Sequence, residues 1–239
     1  MNVKDVYTHG FANTSRYESD PRLVKVLQIV RERQINAQRM LDMGCGDGVF
    51  TRVLGEALGA SGLYGFDISK HAVKLALKNN IAALTLDIDL VNLPFKNHYF
   101  DIVFSGNLIE LILNADHLLS EAHRVLSPDG TFIVTFPNMC SWGSRIAVPL
   151  GFLPYYGRVS TLYDLGKLLT PTKRGDSTGF IRLFSVQSFR ELAGLHGLSV
   201  DAIYGAHVSV FPPPISLLDR VVSLIPSLAF QVIVLLRKT

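Results

Sequence analysis

The residues best placed to do chemistry are Asp42, Asp67, Asp87 and Asp89, set around the glycine-rich run Leu41-Asp42-Met43-Gly44-Cys45-Gly46-Asp47-Gly48. Glycines in such a run let the backbone turn sharply and approach a ligand closely, because no side chain intervenes. Asp42 precedes the glycines, where an acid can orient a cationic amine. Asp67 ends the next apolar run, where a carboxylate can accept from two neighbouring hydroxyls at once. Ile68 beside it offers an apolar face to a flat ring. Asp87 or Asp89, both near the end of a third run, can accept from a ring amino group. The spacing breaks the dinucleotide fingerprint: counted from Gly44, the sixth residue is Val49, and the glycine falls fifth, at Gly48. The Lys-Ser/Thr pair of a P-loop is also missing, and an acidic turn does not suit a polyanion.

These acids need a scaffold that brings strand ends together. A helix over Pro21 to Ile35 is predicted, capped by Asp20, with Pro21 at its first position and an apolar stripe of Leu23, Val24, Leu27 and Val30. Strand and helix then alternate: strand Arg39–Met43, helix Val49–Leu58, strand Gly62–Asp67, and helix Lys70–Asn79 capped by Ser69. Strand Ala82 to Asp87 or Asp89 follows, then strand Phe100–Ser105, helix Ala115–Leu126, the turn Ser127-Pro128-Asp129-Gly130 and strand Thr131–Phe136. The continuous apolar run Ile102-Val103-Phe104 is of the kind buried on both faces of a parallel sheet. Five strands joined by helical crossovers imply a parallel sheet with helices on both faces. At its carboxyl edge, open α/β folds place their ligands.

The pattern then changes. Residues 137–184 hold much glycine and proline, scattered aromatics and the charged loop Lys173-Arg174-Gly175-Asp176, too long a stretch for an ordinary connection. A helix opened by Ser185 or Ser188 and ended by Gly197 follows, and strands Leu198–Tyr204 and Ala229–Leu236 would close the sheet.

Composition sets outer limits. Hydrophobic residues make up 48% and charged residues 18% of the chain, enough apolar material for a large core. A net charge of +3 is too small to argue for nucleic acid, and no metal site is expected. Two cysteines, Cys45 and Cys140, offer no disulfide framework, and a cytoplasmic location is the simplest expectation. The polar segment Met1 to Ser19 lacks the apolar centre of a secretory signal. The apolar stretch Val221 to Leu236 is too short and too interrupted to span a bilayer. It reads as a short helix and a buried strand, or as an interfacial segment resting on a membrane surface.

Five segments carry a family resemblance: the glycine turn; Gly65-Phe66-Asp67-Ile68-Ser69; Asp89-Leu90-Val91-Asn92-Leu93-Pro94-Phe95; Phe100-Asp101-Ile102-Val103-Phe104-Ser105; and Glu121 to Gly130. With them the chain resembles the class I S-adenosylmethionine-dependent methyltransferases, especially the small-molecule group that includes the ubiquinone-pathway O-methyltransferases. The resemblance is strong over Leu41 to Pro137 and weak over Phe184 to Lys238. It implies a Rossmann-like α/β fold with a seven-stranded sheet in the order 3-2-1-4-5-7-6, the last strand antiparallel. It also implies one domain over 1–239, with an N-terminal cap at 1–36 and a substrate-pocket insert at about 137–184. S-adenosylmethionine would be the cofactor and S-adenosylhomocysteine its product. The implied binding set is Asp42, Gly44, Cys45, Gly46, Asp67, Ile68, Asp89, Leu90 and Ser105; the family spacing selects Asp89 over Asp87, with the Leu90 backbone beside it. One departure matters. Where many relatives read acid-x-Leu-Glu-His after the fourth strand, this chain reads Asn107-Leu108-Ile109-Glu110-Leu111, which puts a catecholic O-methylation in doubt.

The expected partner is a small-molecule acceptor, with no nucleic acid, no transmembrane span, and peripheral membrane contact left open. Tyr17, Arg145, Tyr155 and Tyr156 are the acceptor-side candidates, with Trp142, Phe152, Arg158, Lys173-Arg174 and the Phe211-Pro212-Pro213-Pro214 run as further pocket residues. The insert aromatics either line a cleft or form local core. No general base is assigned among His98, His117, His123 and the tyrosines. Two rival readings are a cofactor-binding partner subunit without catalysis, which Leu111 would suit, and a nicotinamide-binding protein, which Val49 opposes.

Overall fold

The computed structural model describes residues 14–160, 163–168, 173–174, 180–208 and 211–239. The main sheet has seven strands: β1 Arg39–Met43, β2 Gly62–Asp67, β3 Ala82–Thr85, β4 Phe100–Gly106, β5 Leu126–Pro137, β6 Leu198–Ala206 and β7 Gln231–Lys238. Their order is β3-β2-β1-β4-β5-β7-β6, as the family resemblance implies. The first five are parallel, and β7 runs antiparallel to both β5 and β6. The helices are α1 Pro21–Glu32, α2 Val49–Leu58, α3 Lys70–Lys78, α4 Ala115–Val125, α5 Trp142–Ala147, α6 Val186–Leu195 and α7 Ile215–Val222.

Alternation along the strands divides the core between the two faces of the sheet. Leu41, Met43, Val103, Phe132, Val134 and Phe136 pack with α4 and α6 on one side. Met40, Ile102, Phe104 and Ile133 pack with α1 and α2 on the other. Burial of both faces is why the strands read as unbroken apolar runs.

Several boundaries differ from the sequence-based expectation, among them the end of α1, which stops at Glu32 and not Ile35. β3 stops at Thr85, although the Leu86 amide still donates to the Asp67 carbonyl at 3.0 Å. β5 begins at Leu126, ahead of the expected turn: Phe100 pairs with Leu126 and Ile102 with Thr131, so Ser127–Gly130 is looped out against Asp101. The apolar stretch from Val221 is helix only to Val222 and strand only from Gln231. In α6, Ser185 is the cap and Ser188 completes the reciprocal capping box.

Two local features position the site. The Asp20 carboxylate accepts from the Arg22 amide at 2.9 Å and opens α1, with Pro21 at its first position. This sends the Arg22 side chain to the carboxyl edge of the sheet, where Nη1 donates to Thr135 Oγ1 at 2.7 Å. Asn138, fully buried at the end of β5, donates to the carbonyls of Ser227 and Ala229 and accepts from the Cys140 amide. Those bonds pin the start of the insert to the approach of β7.

Candidate functional site

The site is built where β1, β2 and β4 end. The Gly44 and Cys45 amides both donate to the Phe66 carbonyl at 2.9 Å, folding the turn against β2. Gly44, Gly46 and Gly48 all have positive φ, at 78°, 55° and 74°, the region that glycine occupies without strain. Gly48 serves packing rather than ligand approach: a Cβ there would lie 2.8 Å from Ile81 Cγ1 and 3.0 Å from Ala76 Cα. Cys45 is likewise a buried wall, its Cβ 2.7 Å from where a Cβ on Gly65 would stand. Burial pushes the Cys45 thiol well up, so it is no nucleophile at neutral pH.

Asp42 is buried, and its carboxylate accepts from Thr51 Oγ1 at 2.6 Å. Burial pushes its carboxyl up to about 7; the Thr51 bond opposes that shift, the Asp67 charge adds to it and Arg22 offsets it. Asp67 accepts from the Gly46 amide at 3.0 Å and the Ser69 amide at 2.8 Å. Burial raises its pKa too, against the backbone donors of Ser69, Gly46 and Ile68. Two mutually repelling carboxylates thus stand at adjacent strand ends, each poised to gain from a cation or a hydrogen-bond donor. On β4, the Ser105 hydroxyl is buried without a hydrogen-bond partner among the described residues.

Asp89 lies further out. Its Oδ1 accepts from the Asn114 amide at 2.8 Å, and both its oxygens accept from the Leu113 amide at 3.0 and 3.1 Å. It therefore clamps the loop that enters α4. Asp87 accepts from the Asp89 amide, and Leu90 is exposed next to both.

Across the cleft lies a second polar group that sequence reasoning did not assemble. Arg22 reaches Thr135, whose hydroxyl donates to Asn107 Oδ1 at 3.0 Å. Glu110 is buried with both carboxylate oxygens unpartnered among the described residues. Burial pushes its carboxyl up to about 8, and Arg22 partly offsets that. Tyr156 is buried, and its hydroxyl accepts from Gln231 Nε2 at 3.0 Å; the Glu110 and Arg22 charges both act on it. Arg22 thus lies in electrostatic reach of Asp42 on one side and of Glu110 and Tyr156 on the other. Glu110 had a sequence signal, its match to the family motif. Arg22 had none, because its role is set by where α1 docks.

The other candidates fall as follows. Tyr17 is half-buried and packs its ring 6.1 Å from that of Phe50. Tyr155 and Tyr156 join Trp142, Phe180, Phe211 and Phe230 in an aromatic cluster, so these insert aromatics are local core. Phe152 is exposed. Arg145 is also exposed and donates to the carbonyls of Cys140 and Ser227, and Arg158 pairs with Asp164. The backbones of Lys173 and Arg174 pair with Asp164 and Tyr163; their side chains, Gly175, Asp176 and residues 1–13 of the expected cap lie outside the described residues. His98 and His123 sit at the amino edge, beside Leu126 and Gly197, and His117 lies by the Val91 carbonyl.

Residues 41–134 match the methyltransferase domain family. The mitochondrial arginine-hydroxylase NDUFAF5 of Mus musculus is 31% identical over 138 residues, 54% of this chain and 40% of that protein. The malonyl-[acyl-carrier protein] O-methyltransferase of Geobacter sulfurreducens is 24% identical over 135 residues, 54% of this chain and 51% of that protein. The chain thus spans about half or less of the length of these relatives. Among solved structures, the magnesium protoporphyrin IX methyltransferase of Synechocystis, with bound S-adenosylhomocysteine, superposes with a TM-score of 0.59 at 15% identity, covering 99% of this chain and 92% of that one.

Proposed function

We propose, from the match of residues 41–134 to the methyltransferase domain family and from the seven-stranded Rossmann-like sheet, that the protein transfers a methyl group from S-adenosylmethionine to a small-molecule acceptor. The observation that carries the reading is the pair of carboxylates at adjacent strand ends, Asp42 buried and Asp67 half-buried, both with raised pKa values. The residues present fit the donor. Asp42, held by Thr51, would take the ammonium of the methionine end. Asp67, its two oxygens fixed by the Gly46 and Ser69 amides, would accept from the ribose hydroxyls. Ile68 would flank the adenine, with Asp89 and Leu90 at its amino edge, and the unpartnered Ser105 hydroxyl would gain a partner. Cys45 and the glycines would form the floor.

When bound, S-adenosylmethionine supplies an activated methyl group for in-line displacement. Alignment of acceptor and methyl can contribute roughly 7–11 kcal/mol, so the chain's chief task is to orient the two and exclude water. Arg22, tied to Asp20 and Thr135, lies between the two halves and can balance their charge. Glu110 and Tyr156 face the acceptor side. A neutral Glu110 can donate to an acceptor oxygen, and an ionised one can take its proton.

The test is label transfer. With methyl-tritiated S-adenosylmethionine and a panel of hydroxyl-, carboxyl- and amine-bearing amphiphiles, the wild-type protein is expected to label at least one acceptor, and Asp67→Ala to label it about tenfold less or lower still at subsaturating donor. Tight donor binding with no transfer across the panel would instead favour a non-catalytic partner subunit.

A further inference from the structure

Helix α7 is packed inside out. Its acid, Asp219, is 0% exposed, whereas Leu217 is 66% exposed and Leu224, just past the helix, is 79% exposed. The inner side is held by the buried carboxylate, with Ile215 packed on the aromatic cluster. Asp219 accepts from Trp142 Nε1 at 2.9 Å, from the Val208 amide at 2.9 Å and from the Ser223 hydroxyl at 3.4 Å. The fit is close: a Cβ on Gly205 of β6 would stand 2.1 Å from the Ser223 carbonyl oxygen. The helix therefore cannot roll to hide its outer side without leaving Asp219 and Trp142 Nε1 buried and unpaired. Leu218, Val221 and Ile225 are more than half exposed on that outer side. Soluble helices turn such a stripe inward, and a contiguous exposed apolar patch marks a docking surface.

Helix α5 extends the patch. Trp142 ties it to α7, the Trp142 amide donates to the Leu228 carbonyl, and Arg145 donates to Ser227. Both helices sit on the aromatic cluster through Trp142 and Ile215. Ile146 of α5 and Val148 and Leu150 just after it are exposed by half or more.

The charges around the patch identify its occupant. Across 138–152 and 207–230 the sequence holds one carboxylate, Asp219, which is buried. The arginines there, Arg145 and Arg220, are both exposed. An apolar surface whose own segments expose two arginines and no carboxylate complements an anionic lipid surface, where each cation adds to the attraction. No helix of the described residues is long and apolar enough to cross a membrane, and the eight residues of α7 can only lie in its interface. We propose that the face formed by α7 and α5 rests on an anionic lipid bilayer, and that the acceptor is an amphiphile resident there. The second half rests on the methyltransferase reading; the first does not. The same aromatic cluster that supports the patch contains Tyr156 and leads through it to Gln231 and Glu110. An amphiphile entering from the lipid side would thus meet the acceptor side of the cleft.

Co-sedimentation with vesicles decides the matter. Wild-type protein is expected to bind vesicles of phosphatidylcholine and phosphatidylglycerol at 7:3 and to bind pure phosphatidylcholine much less, with the difference shrinking in high salt. The triple variant Leu217→Ser, Val221→Ser, Leu224→Ser is expected to lose at least tenfold in affinity while still binding S-adenosylhomocysteine by calorimetry, and Arg220→Gln to lose part of the anionic preference. Failure of the wild type to bind either vesicle, or unchanged binding by the triple variant, overturns the proposal. So does a wild-type dimer in solution that the triple variant converts to monomer, since a second copy would then cover the face. Loss of S-adenosylhomocysteine binding by the wild type would instead count against the methyltransferase reading, whatever the vesicles report.

Discussion

Replacing Asp67 with alanine weakens S-adenosylhomocysteine binding by about 1.5–3 kcal/mol, the scale of hydrogen bonds to a charged group, or roughly ten- to hundredfold in dissociation constant. The carboxylate sits at the end of β2 with each oxygen already held by one backbone amide, from Gly46 and Ser69. It is therefore oriented before the ligand arrives, and each oxygen retains a lone pair for a ribose hydroxyl. Because Asp67 also steadies the glycine turn, thermal unfolding must accompany the titration. Asp67→Asn keeps one acceptor oxygen and is expected to fall between wild type and Asp67→Ala. Unchanged affinity in a folded Asp67→Ala variant would contradict the ribose assignment.

The second large effect is on stability against pH, and it comes from Glu110 and Asp42. Both carboxyls are buried, and both have folded-state pKa values raised, to about 8 and about 7. Between the unfolded and folded values the folded protein holds more protons than the unfolded chain, so stability falls as pH rises. The contribution is fully present near pH 4 and is lost progressively up to about pH 8. At about 1.4 kcal/mol per unit of pKa difference, the ligand-free protein should lose a few kcal/mol between about pH 5 and pH 8. Glu110→Gln cannot ionise and should unfold with a distinctly flatter pH dependence, even if its midpoint at low pH drops because the buried amide lacks partners. A wild-type profile that rises over this range would contradict the burial of uncompensated carboxyls. Thermal unfolding of both proteins across the range is the measurement.

How much of this was legible in the sequence depended on whether the cause was local. The bounds of β1, α2 and β2 follow from glycine positions and unbroken apolar runs, and they match residue for residue. The strand order followed from family resemblance, since no local pattern specifies that β7 inserts between β5 and β6. The looped-out Ser127–Gly130 was seen as a turn, but not that the ladder closes on both sides of it, because that depends on Leu126 pairing with Phe100.

The donor-side acids were legible since strand-end acids and a glycine turn are local features. The partner of Asp42 was not: Thr51 lies a full turn away, inside α2. Arg22, Thr135, Tyr156 and the pair Asn107 and Glu110 come from four segments that only the tertiary fold brings together. The stripe on α7 misleads most. Leu217, Leu218 and Val221 look like a core-facing face, yet the structure spends the inward side on Asp219 and Ser223.

The most direct test of the central claim is a calorimetric titration of the wild-type protein with S-adenosylhomocysteine and, separately, with NAD. The strand-end acids Asp42 and Asp67, and a turn with valine where a dinucleotide site needs its third glycine, predict saturable one-to-one binding of S-adenosylhomocysteine and no heat with NAD. Saturable binding of NAD alone would contradict the account.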